Sequence, residues 1–214
     1  MILLQDILVR VLEILLVPYY HKEVLWTIAP LIFSLIMLQM YFGKYKTELL
    51  GWNTAFGNSI SLVWVTTILL KYMSNNYGLK NVIEQSGHRV YLILILCFGV
   101  YTLSLTFINF NHLLPRRFAF WISSSLPVNV LAYFIIVIVM GRITIDETTL
   151  FAALILFLFF GLVFNLYRRS ITPPKSEEVI LKKHEEKRKK NISKIKKKLS
   201  KLPLLVFKFK DKEE

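Results

Sequence analysis

Four histidines, one cysteine and a scatter of amides and hydroxyls are the groups from which this chain of 214 residues could build chemistry. His21, His88, His112 and His184 stand apart from one another and from Cys97, and none has a second ligand at metal-site spacing. A lone cysteine closes no intramolecular disulfide. No glycine-rich phosphate loop and no G-x-S-x-G elbow occurs. A catalytic nucleophile needs a base beside it, yet the long apolar runs carry only amides and hydroxyls. No catalytic residue, metal or cofactor is therefore expected. A lipid enzyme at the membrane interface, drawing on Glu48, His112 and Arg116, ranks third among the functional readings.

The uncharged polar residues are better placed. Between Glu48 and Lys71 lie 22 uncharged residues, enough for one helix to cross a bilayer core. At about 100° per residue, Asn53, Thr54, Gly57, Asn58 and Ser61 share one side, with Trp52, Phe56, Ile60 and Val63 on the other. The polar side is expected to face other helices. Further on, Ser123, Ser124, Ser125, Pro127 and Asn129 interrupt an otherwise apolar run. Pro127 cannot donate to the carbonyl of Ser123, so a kink is predicted and that carbonyl needs another partner. Asn58, at similar depth, can supply it.

Asn53, Asn58, Ser61, Ser104, Ser123, Ser124 and Asn129 thus form a candidate polar layer inside the membrane. As packing, Asn53-x3-Gly57-x3-Ser61 is a small-residue seam with hydrogen bonds across helices, each worth about 0.6 kcal/mol and rarely above about 1.7. As a cavity, the layer binds a solute or a lipid headgroup, with Trp64 and Tyr101 as walls. Gln39 adds a further amide. The number of amides keeps the cavity reading in play, because packing requires fewer.

Five apolar runs bounded by charge set the elements: residues 24–43, 49–71, 90–110, 118–141 and 149–167. Hydrophobic residues make up 55% of the chain and mean hydropathy is +0.51, above an ordinary soluble domain. The expected fold is an all-α polytopic integral membrane bundle over residues 24–170, with residues 73–89 as irregular, wet chain. Residues 1–22 form an amphipathic helix without the basic start and small-residue cleavage site of a secretory leader. Asp6, Arg10 and Glu13 would cost roughly 7 to 10 kcal/mol at mid-bilayer, while twelve Ile, Leu and Val return only about 4 to 7. A helix lying in the interface fits better, with a short sixth span as the alternative.

Apart from Lys71 at the very end of one run, no Asp, Glu, Lys or Arg lies in the five runs, which argues against a pump or proton-coupled carrier. Charge collects instead in residues 171–214 and just before them. From Arg168 onward there are 17 Lys or Arg against 7 Asp or Glu, within a net +13 for the chain. Ile192, Ile195, Leu199 and Leu202 make an apolar stripe beside Lys194, Lys196, Lys197, Lys198 and Lys201, the pattern of a basic amphipathic helix at a membrane surface or partner groove. Leu204 to Phe209 add a short apolar patch. Lysine and arginine near the span ends place this tail on the cytoplasmic side of the cell membrane. The leading expectation is a non-enzymatic multi-pass membrane protein whose tail, centred on Lys194–Lys201, binds anionic lipid headgroups or an acidic partner. A small transporter or channel-like carrier using the polar layer is the alternative. Ribosomal RNA is a weaker partner for the tail, since the basic run lacks interleaved aromatics for base stacking.

Overall fold

The computed structural model describes residues 4–46 and 51–199. Among these residues there is no strand, and the helices run in order α1 Leu4–Tyr20, α2 Lys22–Lys44, α3 Trp52–Tyr77, α4 Leu79–Glu84, α5 Ser86–Phe110, α6 Arg116–Ile122, α7 Ser125–Met140, α8 Glu147–Ser170 and α9 Lys175–Leu199. Four segments are long and apolar enough to cross a membrane: Lys22–Lys44, Gly87–Phe110, Arg116–Met140 and Glu147–Ser170. α3 is longer than any of them, but its amides, hydroxyls and Lys71 keep it out of that set.

α7 is the centre. Val130, Ala132, Ile136, Val137 and Val139 are each at most 2% exposed, so the helix is enclosed on nearly every side. α2 and α3 pack along it, α8 lies beside α2, and α5 packs outside α3. The α3–α5 contact has a readable cause. Ala55, Ser59, Leu62, Thr66, Leu69 and Met73 recur at alternating steps of four and three and are all buried. On α5 the buried residues Ile95, Phe98, Thr102, Leu105 and Asn109 do the same. Two such stripes meet as an antiparallel coiled-coil seam. Ala55 lies against Asn109, and Thr66 lies 3.5 Å from the Thr102 hydroxyl. A side chain at Gly99 would come 3.1 Å from the Thr66 methyl, which keeps that approach close.

This seam corrects the sequence expectation for α3. Asn53, Gly57 and Ser61 are exposed, and a Cβ at Gly57 would meet nothing within 4 Å. The small-residue face is not the packing face. The connection at 73–89 also differs from expectation. α3 continues to Tyr77, Gly78 turns the chain with φ at 72°, and α4 leads directly into α5. Only glycine adopts that turn without strain. The segment 118–141 is broken at Ser123–Ser124, where α6 ends and α7 begins.

α1 is about 26 Å long at the usual rise, yet both its ends stay at one end of the bundle. Gln5, Asp6 and Arg10 surround Thr148, and Tyr20 lies near Met140. α1 therefore crosses that end instead of running alongside α2 to the opposite one. Val17 sits so close to Gly141 that a Cβ there would meet it at 2.7 Å. Arg10 donates to Asp146 (3.1 Å) and Thr144 (3.2 Å) and pairs with Glu13 (3.0 Å). At this end Asp146 caps α8 by accepting from the Thr149 amide at 2.7 Å. α9 leaves from the opposite end, after Pro173 and Pro174.

Candidate functional site

Two polar regions lie between the ends of the bundle. The first surrounds the α6–α7 break. Pro127 leaves the carbonyl of Ser123 without its helical donor, and Asn58 Nδ2 donates to that oxygen at 2.7 Å. The Ser123 hydroxyl accepts from Asn109 Nδ2 at 2.8 Å, and the same nitrogen lies 3.3 Å from the Ala55 carbonyl. Two residues further, Gln39 Nε2 of α2 donates to the Ser125 hydroxyl at 3.2 Å. Helices α2, α3, α5 and α7 are thus joined by bonds that cross between them. Asn109, Gln39, Ser123 and Ser125 are all at most 3% exposed. This seam is sealed.

The second region opens above the seam. α2 and α3 both rest on α7 but do not pack closely on each other, leaving a lateral groove of about 460 Å³. Thr27, Pro30 and Ser34 form the α2 wall, Asn58, Ser61 and Trp64 the α3 wall, and Asn129 and Ala132 the floor. Trp64 is 66% exposed at the mouth. Asn129 is 8% exposed and among the described residues bonds only its own helix, donating to the Ser125 carbonyl at 2.7 Å.

Of the seven residues expected in a polar layer, the structure brings Asn58 and Ser123 into the seam and Asn58, Ser61 and Asn129 to the groove. Ser124 stays near the break, where its hydroxyl donates to the Trp121 carbonyl. Asn53 and Ser104 do not join. Asn53 is exposed near the start of α3, and Ser104 falls on the outer side of α5, where Thr102 and Asn109 occupy the inner stripe. Tyr101 is exposed on α5 and lines neither region. Sequence reasoning missed Asn109 and Ser34, and it named Ser125 without placing it in the layer. Asn109 was legible in the heptad spacing of α5, whereas nothing local marks Ser34.

Neither region contains an acid, a base or a thiol. Among the described residues no group of three His, Cys, Asp or Glu could hold a metal ion. The chemistry available there is hydrogen bonding. Charged groups lie at the ends instead. Where α3 and α7 finish and α5 begins, Arg142 donates from Nε to the Tyr77 hydroxyl at 2.7 Å, and the Tyr77 ring lies tilted against His88 with centroids 4.2 Å apart. The carboxyl of Asp146 is held below the usual carboxylate range, chiefly by the Thr149 amide and further by the Arg10 guanidinium.

In the tail, α9 includes Ile192 and Ile195, both exposed, and its backbone extends through Lys194, Lys196, Lys197, Lys198 and Leu199. Lys201, Leu202 and the apolar patch at 204–209 lie outside the described residues. Comparison with protein-family models, curated proteins and solved structures finds no match to this chain.

Proposed function

We propose that this is a multi-pass membrane protein of five crossing helices, α2, α3, α5, α6–α7 and α8, that holds the basic helix α9 against an anionic membrane surface. α3 crosses with the four apolar segments because it lies antiparallel along α5 over its whole length. α1 rests in the interface at the opposite end, with Leu4, Leu8, Leu12 and Leu15 exposed to lipid.

The observation that carries this reading is the distribution of charge. All six acidic residues of the described bundle, Asp6, Glu13, Glu23, Glu84, Asp146 and Glu147, belong to the α1 end. The end from which α9 departs holds Lys44, Lys46, Arg116, Arg117, Arg168 and Arg169 with no acid among its described residues. Each basic residue near an anionic leaflet contributes about 1 kcal/mol. Tethering by α8 makes docking of α9 intramolecular, so weak intrinsic affinity suffices. The cytoplasmic leaflet is the anionic one, which sets the orientation of this reading.

The test uses the full chain carrying Ile195→Cys in a Cys97→Ser background, labelled with an environment-sensitive dye and reconstituted in vesicles. Emission should shift to the blue in vesicles with anionic lipid and not in neutral ones. Added salt should reduce the shift, because exposed charges are screened within about 8 Å at physiological ionic strength. Equal emission in both vesicle types rules out lipid as the partner and points to an acidic protein or RNA. A second reading, a small carrier working through the amide and hydroxyl groups, is favoured by one observation: the groove between α2 and α3 is open to the side.

A further inference from the structure

The groove floor contains an unusual group. Asn129 is more than nine-tenths buried, its amide nitrogen is committed to the Ser125 carbonyl, and its Oδ1 has no donor among the described residues. Asn58 repeats the arrangement, with Nδ2 committed to Ser123 and Oδ1 without a donor. The hydroxyls beside them are spent in the same sense. Thr27 donates to the Glu23 carbonyl and Ser61 to the Gly57 carbonyl, each on its own helix. What these four residues turn to the groove is therefore a set of acceptor oxygens. Ser34 is the exception, with no hydrogen bond among the described residues.

An acceptor in a hydrocarbon setting without a donor is costly. A set of such acceptors selects a ligand that brings O–H groups. A phosphate needs several donors, and here it would find few. An ammonium would find oxygens but no counter-charge, and burying an unpaired ion is expensive. The lining contains no acid or base to change either conclusion. The remaining walls, Leu31, Ile60, Trp64 and Ile136, are apolar, and the volume of about 460 Å³ lies in the range of small-molecule sites.

We propose that the α2–α3 groove binds a neutral lipid with a hydroxyl-bearing headgroup, entering from the side of the bilayer and donating to Asn58 and Asn129. A diacylglycerol or a long-chain alcohol has this chemistry. The site is shared with the carrier reading, but binding stands whether or not the ligand is moved across, and it is independent of where α9 docks.

The experiment is photocrosslinking of the full-length protein in nanodiscs with a diazirine-bearing diacylglycerol, set against the matching phosphatidic acid. Adducts should map to the stretches around Leu31, Ile60 and Trp64, be stronger for diacylglycerol, and be competed by unlabelled diacylglycerol. Asn129→Leu should lower labelling roughly 3- to 20-fold, the equivalent of one interhelical-strength hydrogen bond lost inside a membrane. Ser61→Trp, at an exposed position that supports no other helix, should block labelling while the melting temperature holds. Equal labelling by phosphatidic acid, adducts elsewhere on the bundle, or crosslinks joining two copies across the groove would each overturn the proposal. So would labelling that survives both substitutions.

Discussion

Asn109 and Asn129 are both more than nine-tenths buried, and each leaves an oxygen without a donor among the described residues, yet their surroundings are opposite. Asn109 is sealed, and its nitrogen reaches Ser123 at the α6–α7 break and Ala55 on α3. Asn129 faces the groove, and its nitrogen returns to its own helix. An amide whose bonds cross between helices holds the bundle together. An amide that bonds its own helix holds nothing else and is free to meet a ligand. The same side chain is architecture in one place and a candidate contact in the other, and closure by a third helix makes the difference.

The comparison breaks most visibly at Asn109. Asn109→Asp places a carboxylate against the Ala55 carbonyl with no counter-charge, and uncompensated burial of this kind costs about 3 to 5 kcal/mol. Thermal unfolding in detergent should show a large loss at neutral pH that is partly recovered in acid, where the carboxyl is neutral. Stability like that of the parent chain would mean that the seam is hydrated. Asn58→Leu comes next. It removes the donor to the Ser123 carbonyl that Pro127 leaves without its helical partner, and about 1 to 2 kcal/mol should be lost. An unchanged melting temperature would remove the seam's claim to be architecture.

Asn129→Leu should change stability by less than about 0.5 kcal/mol, because the bond lost is local and the Asn129 Oδ1 that had no donor is removed with it. A loss as large as that of Asn58→Leu would place Asn129 with the structural amides and weaken the contrast. The smallest effect belongs to the α1 end. Asp146 has a folded pKa below its ordinary value of 3.8, so its contribution is full above that value and disappears as pH falls through the lower, folded pKa. The carboxylate is 43% exposed, which screens its pairing with Arg10, and Asp146→Asn should cost well under about 1 kcal/mol. Accessibility of a cysteine at Leu8 would report loosening of α1 below about pH 4. Loosening that begins near neutral pH would implicate another group.

Several of these features stand in the sequence. Apolar runs bounded by charge give the helices, and Pro127 by itself creates the need that Asn58 meets. The stripes Ala55–Ser59–Leu62–Thr66–Leu69–Met73 and Ile95–Phe98–Thr102–Leu105–Asn109 also lie in plain view, and they mark the α3–α5 seam through spacing alone. Polarity misled where spacing did not. In a water-soluble helix the polar face points outward and the apolar face inward, so amphipathicity reveals the core. Here α8 exposes Leu150, Leu158, Leu162 and Leu166 to the outside, and inner and outer faces are both apolar. Hydrophobicity then says little about which face packs, and the polar side of α3 looked like an inner face although Asn53, Gly57 and Ser61 are exposed. The groove was beyond the sequence altogether. It exists because α2 and α3 rest on α7 without packing closely on each other, a relation between helices far apart in the chain that no local run of residues encodes. The crossing of α1 over the bundle end is of the same kind, since the Arg10–Asp146 pair joins residues 136 apart.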